Sequence, residues 1–151
     1  MAKSILLARP HPFIVKEMRP FLEQNGFAAR KLASLPELRS NVAGLSGAII
    51  SLAVESPVKE TVETVFTELR KAAPKVPVLF AAMLSLDAMK GALRRLARSK
   101  EIEATILGID VTNDGHADLG KPDTFLYLCN ADFSTPAKRA LAAKIIQQHF
   151  R

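Results

Sequence analysis

The sequence predicts an α/β fold in which parallel strands are joined by helices. Three observations carry this. Short apolar runs alternate with amphipathic stretches along the whole chain, the pattern of strand–helix–strand units. Two of the runs, residues 47–53 and 76–82, are almost wholly apolar, as strands buried on both faces are. No repeat, low-complexity tract or linker interrupts the alternation, and 151 residues suit one domain with a sizeable core, so residues 1–151 are read as a single domain.

The elements follow in order. Residues 4–8 form the first strand. A helix is expected over 12–25, with Ile14, Met18, Phe21 and Leu22 at helical spacing and Gly26 as its stop. Pro20 conflicts with a helix interior, so a kink or a late start is expected there. A short strand covers 28–32. Ser34 with Glu37 three residues on reads as a capping box, opening a helix that ends near 41–44. The third strand is 47–53, followed by a helix from Pro57 to Ala73 with Val58, Val62, Val65, Phe66 and Leu69 on one side, ended by Pro74. The fourth strand is 76–82. Ser85 caps the next helix, whose inner face is Met89, Leu93 and Leu96 and whose outer face is basic. Residues 104–111 and 124–129 are both strand-like, separated by Asn113-Asp114-Gly115, which is turn chemistry. The reading is an inserted strand or hairpin, then the last central strand at 125–129. Pro136 suits the first position of a final helix with Ala140, Leu141, Ile145 and Ile146 as its apolar face.

Composition excludes several classes. Nearly half the residues are hydrophobic and a quarter charged, so the chain is not disordered. No apolar run reaches the roughly 20 residues of a membrane-spanning helix, and no signal-peptide pattern opens the chain, which predicts a cytoplasmic protein. The single cysteine, Cys129, fits a reducing compartment and an inert core thiol. The net charge of +6 permits, without demanding, anionic partners.

Four segments carry a family resemblance. They are Ile5-Leu6-Leu7-Ala8-Arg9-Pro10-His11-Pro12, Ile49-Ile50-Ser51-Leu52-Ala53-Val54-Glu55-Ser56-Pro57, Val76-Pro77-Val78-Leu79-Phe80-Ala81-Ala82, and Asn130-Ala131-Asp132-Phe133-Ser134. They resemble strand ends and loops of response-regulator receiver domains. The resemblance covers about 130 residues and implies a doubly wound, five-stranded parallel sheet of flavodoxin-like (CheY-like) order. The segment 101–123 is atypical of that family.

Set against that family, every chemical position holds another residue. Two acidic residues would stand at Arg9 and Pro10, the phospho-accepting aspartate at Ala53, a threonine or serine at Ala82 and a lysine at Ala131. Aspartyl phosphorylation needs a carboxylate nucleophile and a hard cation held by oxygens. Ala53 has no nucleophile, and Arg9 opposes magnesium electrostatically. The resemblance therefore implies a degenerate pseudo-receiver with no catalytic residue, no metal and no cofactor. Arg9 and Glu55 are expected to pair across the former pocket.

The family docks partners and dimerises through its fourth helix, fifth strand and fifth helix. The matching residues here are Arg94, Arg95, Arg98, Lys100, Tyr127, Lys138 and Arg139. The expected function is a non-enzymatic signalling adaptor that contacts signalling proteins or a second copy through that face. Two other classes stand beside it: a basic nucleic-acid-associated module, and a sensor of a small anion above the strand ends.

Other motifs are weaker. Asp110, Thr112, Asp114 and Gly115 imitate the start of a calcium loop, but the twelfth position is Lys121 where a glutamate is needed. His11 has no second histidine near it in sequence, His116 and His149 being far along. Glycine-rich phosphate loops, nucleophile elbows and zinc spacings do not occur.

Overall fold

The structure is a computed structural model that describes residues 3–11, 14–52, 58, 60–109 and 117–150. Six strands form one sheet: β1 (Lys3–Arg9), β2 (Phe27–Lys31), β3 (Leu45–Ser51), β4 (Val78–Ala82), β5 (Thr105–Leu107) and β6 (Thr124–Cys129). Their spatial order is β2-β1-β3-β4-β6-β5, and every pairing is parallel. Removing β5 leaves the flavodoxin-like order. The inserted segment thus contributes a sixth, parallel edge strand; a hairpin would have paired antiparallel.

Four α-helices flank the sheet among the described residues: α1 (Arg19–Gln24), α2 (Val62–Ala72), α3 (Leu86–Ser99) and α4 (Pro136–His149). Side chains alternate along each strand, so two cores form. One packs Ile5, Leu7, Ile49, Leu79, Leu126 and Leu128 under α1 and α4. The other packs Leu6, Ile50, Val78, Phe80 and Phe125 under α2 and α3. In the second core Phe66, Phe80 and Phe125 meet with ring centroids 5.0–5.9 Å apart.

Several expectations are corrected. Pro20 does delay its helix: a π-helical turn at Ile14–Met18 precedes α1, which places Pro20 in its first turn. Residues 35–41 form a 3₁₀ segment (Leu35–Asn41) in place of an α-helix, and the Ser34 side chain makes no cap. Leu38 is its only buried residue and Leu35 packs beside it. Two apolar residues at i and i+3 suit three residues per turn and offer no stripe for a longer helix. The helix expected from Pro57 begins at Val62, where the Thr61 hydroxyl accepts the Thr64 N–H. Met89 is only half-buried; Ala97 joins Leu93 and Leu96 inside. On α4 the buried residues are Ala142, Ile145, Ile146 and His149, while Ala140 and Leu141 are exposed.

His149 fastens three distant segments. Its Nδ1 accepts the Gly120 N–H at 3.0 Å, which fixes the tautomer, so Nε2 donates to the Val78 carbonyl at 3.0 Å. Gly120 has φ +92°, a conformation that favours glycine. Burial pushes the His149 pKa down to about 4. The unfolded chain therefore binds a proton that the native state refuses between about pH 6.5 and 4. The His149 contribution to stability is full above pH 6.5 and should fall by about 3 kcal/mol as pH drops through that window. Denaturant melts across this range test it: His149→Gln should flatten the slope relative to the parent chain, and an unchanged slope would discard the assignment.

Candidate functional site

The C-terminal ends of β1, β3, β4 and β6 lie side by side, as the registers Arg9↔Ile50, Ser51↔Ala81 and Ala82↔Cys129 show. Successive connections run in opposite directions from β1, to β2 on one side and to β3 on the other. In open α/β sheets the crevice at such a switch point is where ligands sit.

Here a side chain of the chain itself occupies it. Arg9 is the last residue of β1 and is 5% exposed. Its Nη1 donates to the Ser51 carbonyl at 2.9 Å and its Nε to the Glu60 carbonyl at 3.1 Å. The guanidinium thus crosses from the end of β1 to the end of β3 and on to the entry of α2. Burial pulls its pKa down from the ordinary arginine value, yet arginine stays charged in proteins. The fork of donors on one rigid plane is what lets one side chain hold two carbonyls. Close by in the chain, Oε2 of Glu60 is buried without a hydrogen bond among the described residues.

Pro10 is buried directly after Arg9. Ala82 closes β4 and is buried, presenting only a methyl group. Ala131 lies in the 3₁₀ turn Asn130–Phe133 after β6 and is exposed. Ala53 and Glu55, and with Glu55 the expected pairing to Arg9, lie outside the described residues. So do most of the calcium-like positions, residues 110–116. Ser51 and Glu60 were not singled out by sequence, because they act through backbone carbonyls and a carbonyl carries no residue-type signal.

A cleft of 470 Å³ opens beside this region, lined by Ser85, Asp87, Gly108, Cys129, Ala131 and Asp132. Asp132 is committed within it: its Oδ2 accepts the Cys129 N–H at 2.8 Å. Burial first, and the Asp132 charge second, push the Cys129 thiol pKa up. Both effects favour the protonated thiol over the reactive thiolate.

The residues assigned to a docking face do not form one surface. Arg94, Arg95 and Arg98 are exposed on α3. Lys100 turns toward α2 and pairs with Glu63 at 3.2 Å. Lys138 and Arg139 are on α4, across the sheet, and the Arg139 guanidinium stacks 5.4 Å over Phe21. Tyr127 is the clearest correction. It is buried, its hydroxyl donates to the Leu84 carbonyl, and burial raises its pKa. In a five-stranded sheet its strand would be the edge; here β5 covers that edge. The tether holds down the loop in which Met83 and Leu84 are exposed.

The comparisons with known proteins fit this architecture. No family model matches the chain, and no curated protein matches it. Solved structures do: the class is the receiver-domain fold. The chain is similar to the receiver domain of a Pseudomonas aeruginosa PAO1 sensor histidine kinase, with TM-score 0.59 and 15% identity over 99% of this chain and 98% of the other. That crystal structure holds a magnesium ion in its active-site cleft. A response-regulator receiver domain of Clostridium thermocellum gives TM-score 0.53 at 16% identity, covering 99% and 94%. A receiver protein of Sinorhizobium medicae gives 0.55 at 16%, also covering 99% and 94%. At these identities the likeness establishes the fold.

Proposed function

We propose that this chain is a receiver-like signalling domain that works by protein–protein contact, without phosphorylation and without an activity of its own. The observation that carries the reading is the Arg9 guanidinium, buried at the ends of β1 and β3 and bound to the Ser51 and Glu60 carbonyls. A magnesium ion needs an open set of oxygen ligands. At this place the chain supplies a fixed cation that repels a second one and has already taken two of the nearby oxygens. The sequence adds that position 53 is alanine, which cannot accept a phosphoryl group, and Ala82 offers no hydroxyl to read one. The same burial speaks against the anion-sensor reading, since a buried guanidinium already held by two carbonyls is not presented to a small ligand. The site requires no cofactor, and partners are proteins of a signalling pathway or a second copy of the chain.

Nuclear magnetic resonance tests this directly. Magnesium with beryllofluoride, a phosphoryl mimic, should leave the amides of Arg9, Ser51 and Ala82 unmoved. Saturable shifts clustered on those three amides would overturn the proposal.

A further inference from the structure

The chain has ten arginines, and three of them fall within residues 94–98 on α3. Their surroundings differ from those of the other described arginines. Arg9, Arg19, Arg30, Arg70 and Arg139 each hold a carbonyl, a carboxylate or a ring. Arg94, Arg95 and Arg98 are exposed, and among the described residues they make no hydrogen bond, ion pair or ring contact. Only Arg39, alone on the 3₁₀ segment, shares that condition.

Arg94 and Arg98 are one helical turn apart and so stand about 6 Å from each other on one face. Between them and the added strand runs a groove of 230 Å³, lined also by Ala97, Ile102, Glu103 and Ile106. The groove is therefore lined by apolar Ala97, Ile102 and Ile106, with two cations on the helix side and one carboxylate, Glu103. Ile106 is on β5, so this shape depends on the inserted strand.

We infer that the groove between α3 and β5 docks an acidic amphipathic helix of a partner protein. Two carboxylates at i and i+4 on that helix match the spacing of Arg94 and Arg98, and each can meet a guanidinium through two parallel hydrogen bonds. An apolar side chain beside them fits over Ile102 and Ile106, the usual manner in which a helix lies in a groove. Arginine in place of lysine at all three positions suits an interface, where arginine is enriched and lysine depleted. Glu103 within the groove decides between partner classes. It repels a continuous phosphate backbone, whereas a protein helix can set a lysine or a neutral residue against it. The inference rests on the proposed signalling role and names the chemistry of the partner.

The test uses the full isotope-labelled chain and a synthetic amphipathic helical peptide with glutamates four residues apart beside a row of leucines. Three comparison probes are the same peptide scrambled, the peptide with lysine in place of glutamate, and a 20-base-pair DNA duplex. The acidic helix should shift amides over residues 94–106 and bind at least tenfold tighter than each comparison. Arg94→Glu with Arg98→Glu should weaken it at least tenfold with an unchanged melting temperature, and Arg19→Glu on α1 should not. Equal binding of the scrambled peptide or of DNA, or no shift with the acidic helix, overturns the inference. Repeating the titration with magnesium and beryllofluoride separates the two claims. Shifts at Arg9 and Ser51 sink the phosphorylation-independent role, while a peptide failure without them sinks only the groove.

Discussion

Replacing Arg9 with methionine should lower folding stability by about 3 kcal/mol, since hydrogen bonds to a charged group contribute about 1.5–3 kcal/mol each and two carbonyls, one buried and one part-buried, would lose theirs. Arg9→Lys should recover only part of that. A single ammonium at the end of a flexible stem does not reproduce a planar fork that reaches Ser51 and Glu60 together. Arg9→Asp, which places an acidic residue at the position, should still take up no phosphoryl group, because Ala53 remains without a nucleophile. Urea unfolding of Arg9→Met and Arg9→Lys beside the parent chain measures the losses, and phosphoryl-donor labelling of Arg9→Asp checks the last expectation. A loss under about 1 kcal/mol for Arg9→Met would mean that the guanidinium is incidental to the packing of the strand ends.

A second large effect is expected at Gly47. A Cβ at that position would overlap the Phe150 ring, too close for any real contact. Phe150 is fully buried at the end of α4 and meets Phe27 edge-on at 6.3 Å. Gly47→Ala must displace that ring and should cost about 1–3 kcal/mol. Phe150→Ala alone should cost about 3–5 kcal/mol. The two should not add. In the Phe150→Ala background the extra methyl enters vacated space and should be neutral or stabilising, because alanine is favoured over glycine within a strand. A double-mutant cycle reads this as a coupling energy, and additive losses would contradict the close approach.

The strands were legible because burial on both faces writes itself as apolar runs; β3 and β4 lie within two residues of expectation. The inserted strand was legible as a strand, though its direction was not: residues 104–107 say nothing about which neighbour they pair with. Helix faces were less legible. On α4 the stretch from Ala137 to Ala143 is rich in alanine, which sets no phase, so Leu141 was placed inward while His149 proved to be the core residue. Tyr127 was misplaced for a related reason. Its exposure depends on whether another strand covers β6, and that is a tertiary fact. The candidate site was legible as a position, since Arg9 stands at a strand end, but its partners are carbonyls and have no letter in the sequence.

Arg9 also has a consequence for how such a domain can be governed. A cation borne on the backbone has no dissociation constant; it is neither supplied by solution nor removed by a chelator. Its place at the strand ends is a property of the folded chain. Under the proposed role, a site filled in this way keeps no record of a past stimulus. Under the proposed role, the quantity left to regulate is how many copies are present, and where, so that synthesis and turnover set the signal.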